Sequence, residues 1–434
     1  MCSGIDLPGR RYNLRSNGVS SDADSERGSE ALVHSFSSRT RRRRVITNNV
    51  GSDEPLGLRP VNPNMEEDTI DSNGEPQDAD YSYIPLLSDE LALLILARIP
   101  RSEHPKLCCI NKRYMALVKN GELSKIRREI GVTEPLVIIF ASGEHHWWEH
   151  SPSSGLWRKL PDLPSEPSFH LADRESLCVD TQLLISGLES NGMSVWRYEL
   201  LTNSWHKGPS MATPRCLFAS ANCGDVARVA GGTKNRTILN SAEQYNPRTK
   251  SWEPMPSMKQ RRKLCSGCFM DNKFYVVGGV NEEGKLTSGE FFDREKKTWH
   301  LIPGMINDLS SSDCQSPPLV AVVNNELYSL ETTTNKLKVY LKQSNSWKDL
   351  GMVPVRANHS RGWGVAFKSL GDRLLVIGAA WNAVDHHSQG ISIFSCQPDP
   401  NARDAHWFFL GRTAYLFVLP SPLKRFPAMH TFTH

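Results

Sequence analysis

Two short stretches carry side chains of types that could do chemistry. Cys265 and Cys268 have the separation of zinc-ligating thiols, but no second pair follows at zinc-finger spacing, and an odd offset on a strand points the thiols to opposite faces. The histidine-rich stretch from His145 to His150 has neither the HExxH pattern nor a helical frame. His150 comes seven residues before Trp157, which favours a packing role. We predict no catalytic residue, no metal site and no cofactor.

Three arginines recur at a regular position. Each comes four residues after a methionine: Arg215, Arg262 and Arg356. A guanidinium group binds carboxylates or phosphates through two parallel hydrogen bonds. One hypothesis is that these arginines bind an acidic segment of a target protein. The alternative is that they cap loop carbonyls or pair with local acidic groups, since surface charges usually contribute little.

The elements that would position these arginines belong to a repeat of 47 residues. Gly232 stands 13 residues before Tyr245 and 20 before Trp252, and the same offsets lead from Gly279 to an aromatic residue and a tryptophan. Further tryptophans fall at similar intervals, so that the series is Trp157, Trp205, Trp252, Trp299 and Trp347, with Trp407 after a longer gap. This period indicates one structural unit used several times.

Double glycines after a β-rich run, followed by an aromatic residue and then a tryptophan, resemble the kelch repeat of β-propellers. WD repeats are the nearest rival, but no tryptophan here is followed by aspartate. The resemblance implies four-stranded blades, with the glycines after the second strand and the tryptophan on the fourth. We predict an all-β propeller of about six blades over residues 134–420. Arginines at equivalent positions would then surround the mouth of its channel.

The first blade lacks an innermost strand, because the preceding helices end just before it. A propeller needs closure, since an unpaired strand edge invites aggregation. We expect the missing strand to come from the C-terminus, at Thr413–Leu419. Pro420, Pro422 and Pro427 argue against a central strand beyond that segment, so we expect residues 421–434 to form an irregular tail.

Residues 82–130 have the pattern of short helices. Ser88 can cap a first helix whose first turn carries Asp89 and Glu90. Apolar residues recur at helical spacing until Pro100 ends the helix, namely Leu91, Leu94, Ile95 and Ile99. Three further short helices follow. Four such helices form a very small core, so their many apolar residues need another surface to cover them.

This helical stretch resembles the F-box, the module that docks on the Skp adaptor of cullin-type ubiquitin ligases. The resemblance rests on LSDEL at Leu87–Leu91, ILARIP at Ile95–Pro100 and CCINKRY at Cys108–Tyr114. The family usually has proline where Ser88 stands. By this resemblance the adaptor-facing residues are Leu87, Leu91, Ile95, Ile99, Pro100 and Leu107. The alternative is a helical bundle that packs only on the following domain.

Residues 1–80 are rich in Ser, Asn, Asp and Arg and poor in aromatic residues, so we predict a disordered N-terminal region. Its basic run, Arg39–Arg44, is either a nuclear-import signal or a solvated tail. A net charge of +4 gives no reason to expect a nucleic-acid partner. The sequence contains no run of 18 apolar residues, so it predicts no membrane-spanning helix. We expect a location in the nucleus, the cytoplasm or both.

The fold class is therefore α+β multidomain, with a disordered tail, a helical module and a propeller. That order resembles plant F-box/kelch-repeat proteins. It implies a non-catalytic substrate receptor, whose F-box binds the Skp adaptor and through it a cullin, and whose propeller binds an unidentified target for ubiquitin transfer by proximity. The alternative is a kelch scaffold unconnected with ubiquitin, with helices that serve dimerisation.

Overall fold

The computed structural model describes residues 82–132, 134–140, 146–171, 175–309, 316–356, 365–380, 391–413 and 428–433. The predicted disordered region, with its basic run Arg39–Arg44, lies outside these residues. The described residues form a small helical module followed by a six-bladed β-propeller, so the predicted fold class is confirmed.

The helical module contains four α-helices and one 3₁₀ turn, which are α1 (Asp89–Leu96), the 3₁₀ turn (Arg101–Glu103), α2 (His104–Leu107), α3 (Lys112–Lys119) and α4 (Glu122–Glu129). Side chains start two of these helices, as expected of short polar residues at N-caps. Ser88 Oγ accepts the N–H of Leu91 at 3.4 Å, and Asn111 Oδ1 accepts that of Tyr114 at 3.0 Å. The core is small, with six buried apolar side chains at its centre: Leu96, Ala97, Leu107, Tyr114, Leu117 and Leu123.

Each blade is an antiparallel sheet of four main strands, and in blades two to six the first of them along the chain lies innermost. The strands of the first two blades are β1 (Pro135–Phe140), β2 (Trp147–His150) and β3 (Trp157–Lys159), then, after the helix α5 (Pro167–Leu171), β4 (Glu175–Val179), β5 (Gln182–Glu189), β6 (Gly192–Glu199) and β7 (Ser204–Lys207). The third blade consists of β8 (Ala219–Asn222), β9 (Ala227–Ala230), the hairpin β10 (Thr233–Lys234) and β11 (Thr237–Ile238), β12 (Ala242–Asn246) and β13 (Ser251–Met255).

The fourth blade repeats that pattern, with β14 (Ser266–Met270), β15 (Lys273–Val277), the hairpin β16 (Val280–Asn281) and β17 (Gly284–Lys285), β18 (Gly289–Asp293) and β19 (Thr298–Ile302). The last two blades contain β20 (Leu319–Val323), β21 (Glu326–Glu331), β22 (Lys336–Leu341), β23 (Ser346–Met352), the short β24 (Val355–Arg356), β25 (Ala366–Leu370), β26 (Arg373–Ala380), β27 (Ile391–Cys396) and β28 (Phe408–Thr413).

The last strand of the chain, β29 (Ala428–Thr433), closes the ring. It pairs antiparallel with β1, from Pro135 opposite Thr433 to Phe140 opposite Ala428. The six innermost strands then contact one another in a closed cycle: β29, β4, β8, β14, β20 and β25. The C-terminus supplies the missing strand as predicted, which leaves no open edge there.

The predicted closing segment Thr413–Leu419 is wrong, because Thr413 ends the outermost strand of blade six. The closing strand lies instead within the stretch 421–434, for which an irregular tail was predicted. Pro420, Pro422 and Pro427 all precede this strand, so none of them removes an N–H group from its ladder.

Tryptophans on the fourth strands tie each of four blades to the preceding one. Each packs against the aromatic residue opposite it on the third strand, with centroid separations of 5.0–5.4 Å: Tyr198–Trp205, Tyr245–Trp252, Phe292–Trp299 and Tyr340–Trp347. Each indole N–H also donates to a backbone carbonyl just after the outer strand of the preceding blade: Pro161, Pro209, Pro256 and Met305. In blade one His150 stacks on Trp157 at 4.4 Å, as its predicted packing role requires.

Deleting residues 428–434 should lower the melting temperature of the full chain by roughly 10 °C or more, at about 2–4 °C per kcal/mol for a large domain. The deletion unpairs β1 and removes the contacts of β29 with β4 and β25. Melting followed by near-ultraviolet circular dichroism measures the effect. Deleting His434 alone, which lies beyond the strand, is the control. An unchanged melt for the longer deletion would show that closure does not depend on β29.

Candidate protein-interaction surfaces

Helix α1 turns one side to the core of the module and the other to solvent. Ala92 and Leu96 are buried, whereas Leu91 and Ile95, one helical turn apart, are 53% and 48% exposed. Among the described residues, four of the ten exposed large apolar side chains lie in this small module: Leu86, Leu91, Ile95 and Ile110. Exposed apolar side chains in one region mark a surface that a partner covers.

The six predicted adaptor-facing residues do not all lie on this surface. Leu91, Ile95 and Pro100 are exposed, and Leu87 is half-buried. Ile99 packs against the core of the module, and Leu107 is buried within it. The prediction that Leu107 faces the adaptor is therefore wrong, because the short helix α2 uses this side chain to contact the other helices. Sequence reasoning missed Leu86 and Ile110, which carry no helical spacing that could have singled them out.

A buried ion pair fixes the module to the start of the propeller. Arg127 Nη1 donates to the carbonyls of Ala97 and Ile99, at 2.8 and 2.7 Å, and its Nη2 lies 3.0 Å from Glu134 Oε2. The same carboxylate oxygen accepts the backbone N–H of Arg101 at 2.9 Å. Burial lowers the pKa of the Arg127 guanidinium, and Glu134 opposes that shift. Glu134 directly precedes β1, so the end of α1 is held close to the first blade.

The module lies at one end of the propeller. Turns between the first and second strands and between the third and fourth strands share that end, because strand direction alternates within a blade. The Arg101 guanidinium donates to the carbonyl of Leu200, and Arg128 lies 3.7 Å from Asp180, both of them in such turns of blade two. The opposite end, here called the free end, carries the turns between second and third strands and the connections between blades.

Arg262 does not face solvent at the free end but is fully buried. Its Nη1 donates to the carbonyls of Gly278 and Ser288, at 2.8 and 3.0 Å, and its Nη2 lies 2.8 Å from Glu290 Oε1. Glu290 also accepts the backbone N–H groups of Lys259 and Gln260, at 2.8 and 2.9 Å. One ion pair thus holds together the second strand, the third strand and the connection from the preceding blade.

Arg215 repeats this arrangement 47 residues earlier. It is fully buried, donates to the carbonyls of Gly231 and Ser241, and lies 2.6 Å from Glu243. Glu243 accepts the backbone N–H groups of Ala212 and Thr213. Burial lowers the pKa of the Arg215 guanidinium, and the Glu243 carboxylate opposes the shift.

The prediction that Arg215 and Arg262 bind the target is therefore wrong. Both arginines pair with local groups instead, which is the alternative stated above. The signal that sequence reasoning missed is a glutamate two residues before the third-strand aromatic, Glu243 and Glu290. In blade five that position is Lys338, so the arrangement cannot recur there. The backbone of Arg356 lies in β24, and its side chain is outside the described structure.

The free end of blades three and four carries an excess of basic side chains. Those exposed there are Lys234, Arg236, Lys259, Arg261 and Lys285, against Glu282, Glu283 and Asp308. Beside them a cleft runs between blades four and five. Its lining combines apolar side chains, among them Leu264, Ile306, Leu309 and Leu319, with polar ones: Lys285, Ser316, Ser329, Glu331 and Thr332. Leu264 has a left-handed backbone conformation, with φ of 53°, which is rare for so bulky a residue.

Comparison with known proteins identifies the family. A model described as Kelch motif matches residues 214–259 and 261–306. An F-box/kelch-repeat protein of Arabidopsis thaliana is 49% identical over 342 residues, which are 77% of this chain and 81% of that protein. The chain belongs to the F-box/kelch-repeat protein family. The F-box/kelch-repeat protein SKIP11 of the same plant is 39% identical over 72% of this chain and 69% of its own length. Among solved structures, YjhT aligns with 63% of this chain and 94% of its own, at 13% identity and a TM-score of 0.47.

The two cysteines of the CxxC pair in this F-box/kelch-repeat protein are packing residues. Cys265 and Cys268 belong to two different core clusters, one shared with blade three and one with blade five, in keeping with thiols on opposite faces. Burial raises the pKa of both to about 12. Within the described ranges, no three His, Cys, Asp or Glu side chains are grouped so that they could hold a metal ion, and no helix is long and apolar enough to cross a membrane.

Replacing Arg262 by Ala should cost roughly 3–5 kcal/mol of unfolding free energy, because it leaves the Glu290 carboxylate buried without its cation. Chemical denaturation of the full chain measures this. Its neighbour Arg261 is 59% exposed, so Arg261→Ala should stay within about 0.5 kcal/mol of the original protein. Equal stability of the two variants would contradict a structural role for Arg262.

Proposed function

We propose that this chain is the substrate-recognition subunit of an SCF-type ubiquitin ligase. In this role the helical module binds a Skp-type adaptor, and through it a cullin, while the propeller binds the target protein. The exposed apolar side of α1, with Leu91 and Ile95, is the observation that carries the proposal. Family membership supports it, since the relatives are named for an F-box and kelch repeats.

The link between module and propeller suits a receptor that acts by positioning. A target is modified when it is held near the transferring enzyme, so the gain in rate comes from proximity and orientation. Such a gain needs a fixed path from the adaptor to the target. The contacts of Arg127, Glu134 and Arg101 supply one, because they join the end of α1 to the first strand of the propeller. No side chain of this protein takes part in the bond-making step.

The free end of the propeller is the surface that we assign to the target. It lies at the opposite end from the turns that contact the module, so a bound adaptor leaves it accessible. Its basic side chains favour an acidic segment, and the adjoining cleft offers apolar contacts. We assign to this surface the target binding that the sequence predicted for Arg215, Arg262 and Arg356. The expected location, nucleus or cytoplasm or both, stays a prediction.

Replacing both Leu91 and Ile95 by Asp should weaken binding of a purified Skp-type adaptor about 100-fold or more, because central apolar contacts dominate such interfaces. Both side chains are exposed, so the variant should fold normally. Leu156→Asp changes an equally exposed leucine of the propeller and is the matched control. Retained adaptor binding by the double variant would reject the proposed docking surface. Loss of a homodimer with no effect on adaptor binding would favour the scaffold alternative.

Reversing two charges at the free end, Lys234→Glu with Lys285→Glu, should reduce the amount of target captured by the full chain at least about threefold. Arg294→Glu with Lys296→Glu makes the same change of charge in an exposed turn at the module end and should have no effect. Proximity labelling with quantitative mass spectrometry compares the two variants with the original protein. If both variants lost the same proteins, the free end would not be the recognition surface.

A further inference from the structure

The cleft between blades four and five lies where blade five departs from the repeat. The residue four positions after Met305 is Leu309, whereas blades three and four have the buried Arg215 and Arg262 at that position. The link between second and third strands is also shorter, since the turn 332–335 stands where blade four has the hairpin β16–β17. A leucine is shorter than an arginine and donates no hydrogen bond. Space is therefore left open beside Leu309, with a cavity volume of about 70 Å³.

Two polar side chains of the lining, Ser329 and Glu331, are buried and paired within the protein. Ser329 Oγ donates to the carbonyl of Leu319 at 3.1 Å. The Glu331 carboxylate accepts the Thr334 hydroxyl and lies 3.4 Å from Lys338 Nζ. These groups already have internal partners, so the part of the lining that remains for a ligand is mainly apolar.

Lys285 is the exposed cation of the lining. It lies on β17, in the hairpin that forms the blade-four wall of the cleft. Within the described ranges it forms no ion pair, and the hairpin's Glu282 lies 4.0 Å from Arg261 instead. A ligand that matches both features combines an apolar group with a negative charge.

We propose that the cleft binds one aliphatic side chain of the target, of about leucine size, while Lys285 pairs with the carboxylate of an acidic residue beside it in the target chain. A cavity of about 70 Å³ holds roughly five water-sized groups, which suits leucine, isoleucine or methionine and is too small for tryptophan. Burial of the aliphatic group supplies affinity, and the ion pair supplies selectivity. This inference rests on the proposed function and narrows its target to proteins with an exposed acidic–aliphatic motif.

Selection from a phage-displayed library of short random peptides, with the full chain as bait, tests the motif. We expect the enriched peptides to carry leucine, isoleucine or methionine beside aspartate or glutamate. Lys285→Glu changes an exposed side chain and should exchange the acidic neighbour for lysine or arginine while the aliphatic residue is kept. Lys296→Glu, in an exposed turn at the module end, is the control and should select the original motif. Absence of an enriched motif, or the same motif from Lys285→Glu, would overturn the proposal.

The affinity of an enriched peptide assigns the aliphatic residue to the cleft. Leu319→Phe enlarges a half-buried side chain of the lining and should weaken binding about tenfold or more, because the ring takes the space of the peptide side chain. Leu341→Phe makes the same change at an exposed position outside the cleft and should bind as the original chain does. Equal affinities of the two variants would overturn the proposal. If Leu319→Phe does not fold, the exchange of motif in Lys285→Glu decides.

Failure of this inference differs from failure of the proposed function. Residues 310–315, which join Leu309 to Ser316, lie outside the described structure but are present in the full chain. If they occupy the cleft, no motif is enriched and the inference is overturned. Adaptor binding is measured on the same preparation, so a chain that binds the adaptor but selects no acidic–aliphatic motif keeps the proposed function and contradicts only this inference.

Discussion

Closure of the ring is the constraint on which the rest of the structure depends. Six blades can bury both of their faces only if the last blade meets the first. β29 pairs with β1 as the innermost strand of blade one and contacts β25 of blade six, which joins the two blades. The residue before β1 is Glu134, which anchors Arg127 and Arg101 of the helical module. The seam of the propeller and the attachment of the module are therefore adjacent, and the position of helix α1 depends on a strand at the far end of the chain.

Between the seam and the last blade, two kinds of contact recur with the repeat. Indole N–H groups donate to backbone carbonyls just after the outer strand of the preceding blade. In blades three and four, a buried arginine–glutamate pair also binds the connection from the preceding blade. Buried ion pairs add stability only when their remaining hydrogen bonds are satisfied. Here backbone carbonyls accept from both arginines and backbone N–H groups donate to both glutamates, although Arg262 Nε has no partner among the described residues. These arginines are thus used inside the fold, whereas the lysines and arginines of the hairpins are exposed.

Spacing along the chain predicts local structure well and long-range partners poorly. The seven residues from Tyr245 to Trp252 fix a pair across one turn, so the blades were predictable. Arg262 and Glu290 lie 28 residues apart, and only the register of the strands brings them together. The strand Ala428–Thr433 was missed because prolines precede it, and the burial of Leu107 because a four-residue helix has no period from which its inner face can be read.

The claim that joins these features is that one rigid chain carries an adaptor at one end and a target at the other. Titration of the full chain with a purified Skp-type adaptor, followed by isothermal calorimetry, tests it most directly. A single adaptor bound per chain with submicromolar affinity, on the order of −8 kcal/mol or stronger, is the predicted result. No binding at adaptor concentrations of about 100 µM, from a chain whose propeller is folded, would contradict it.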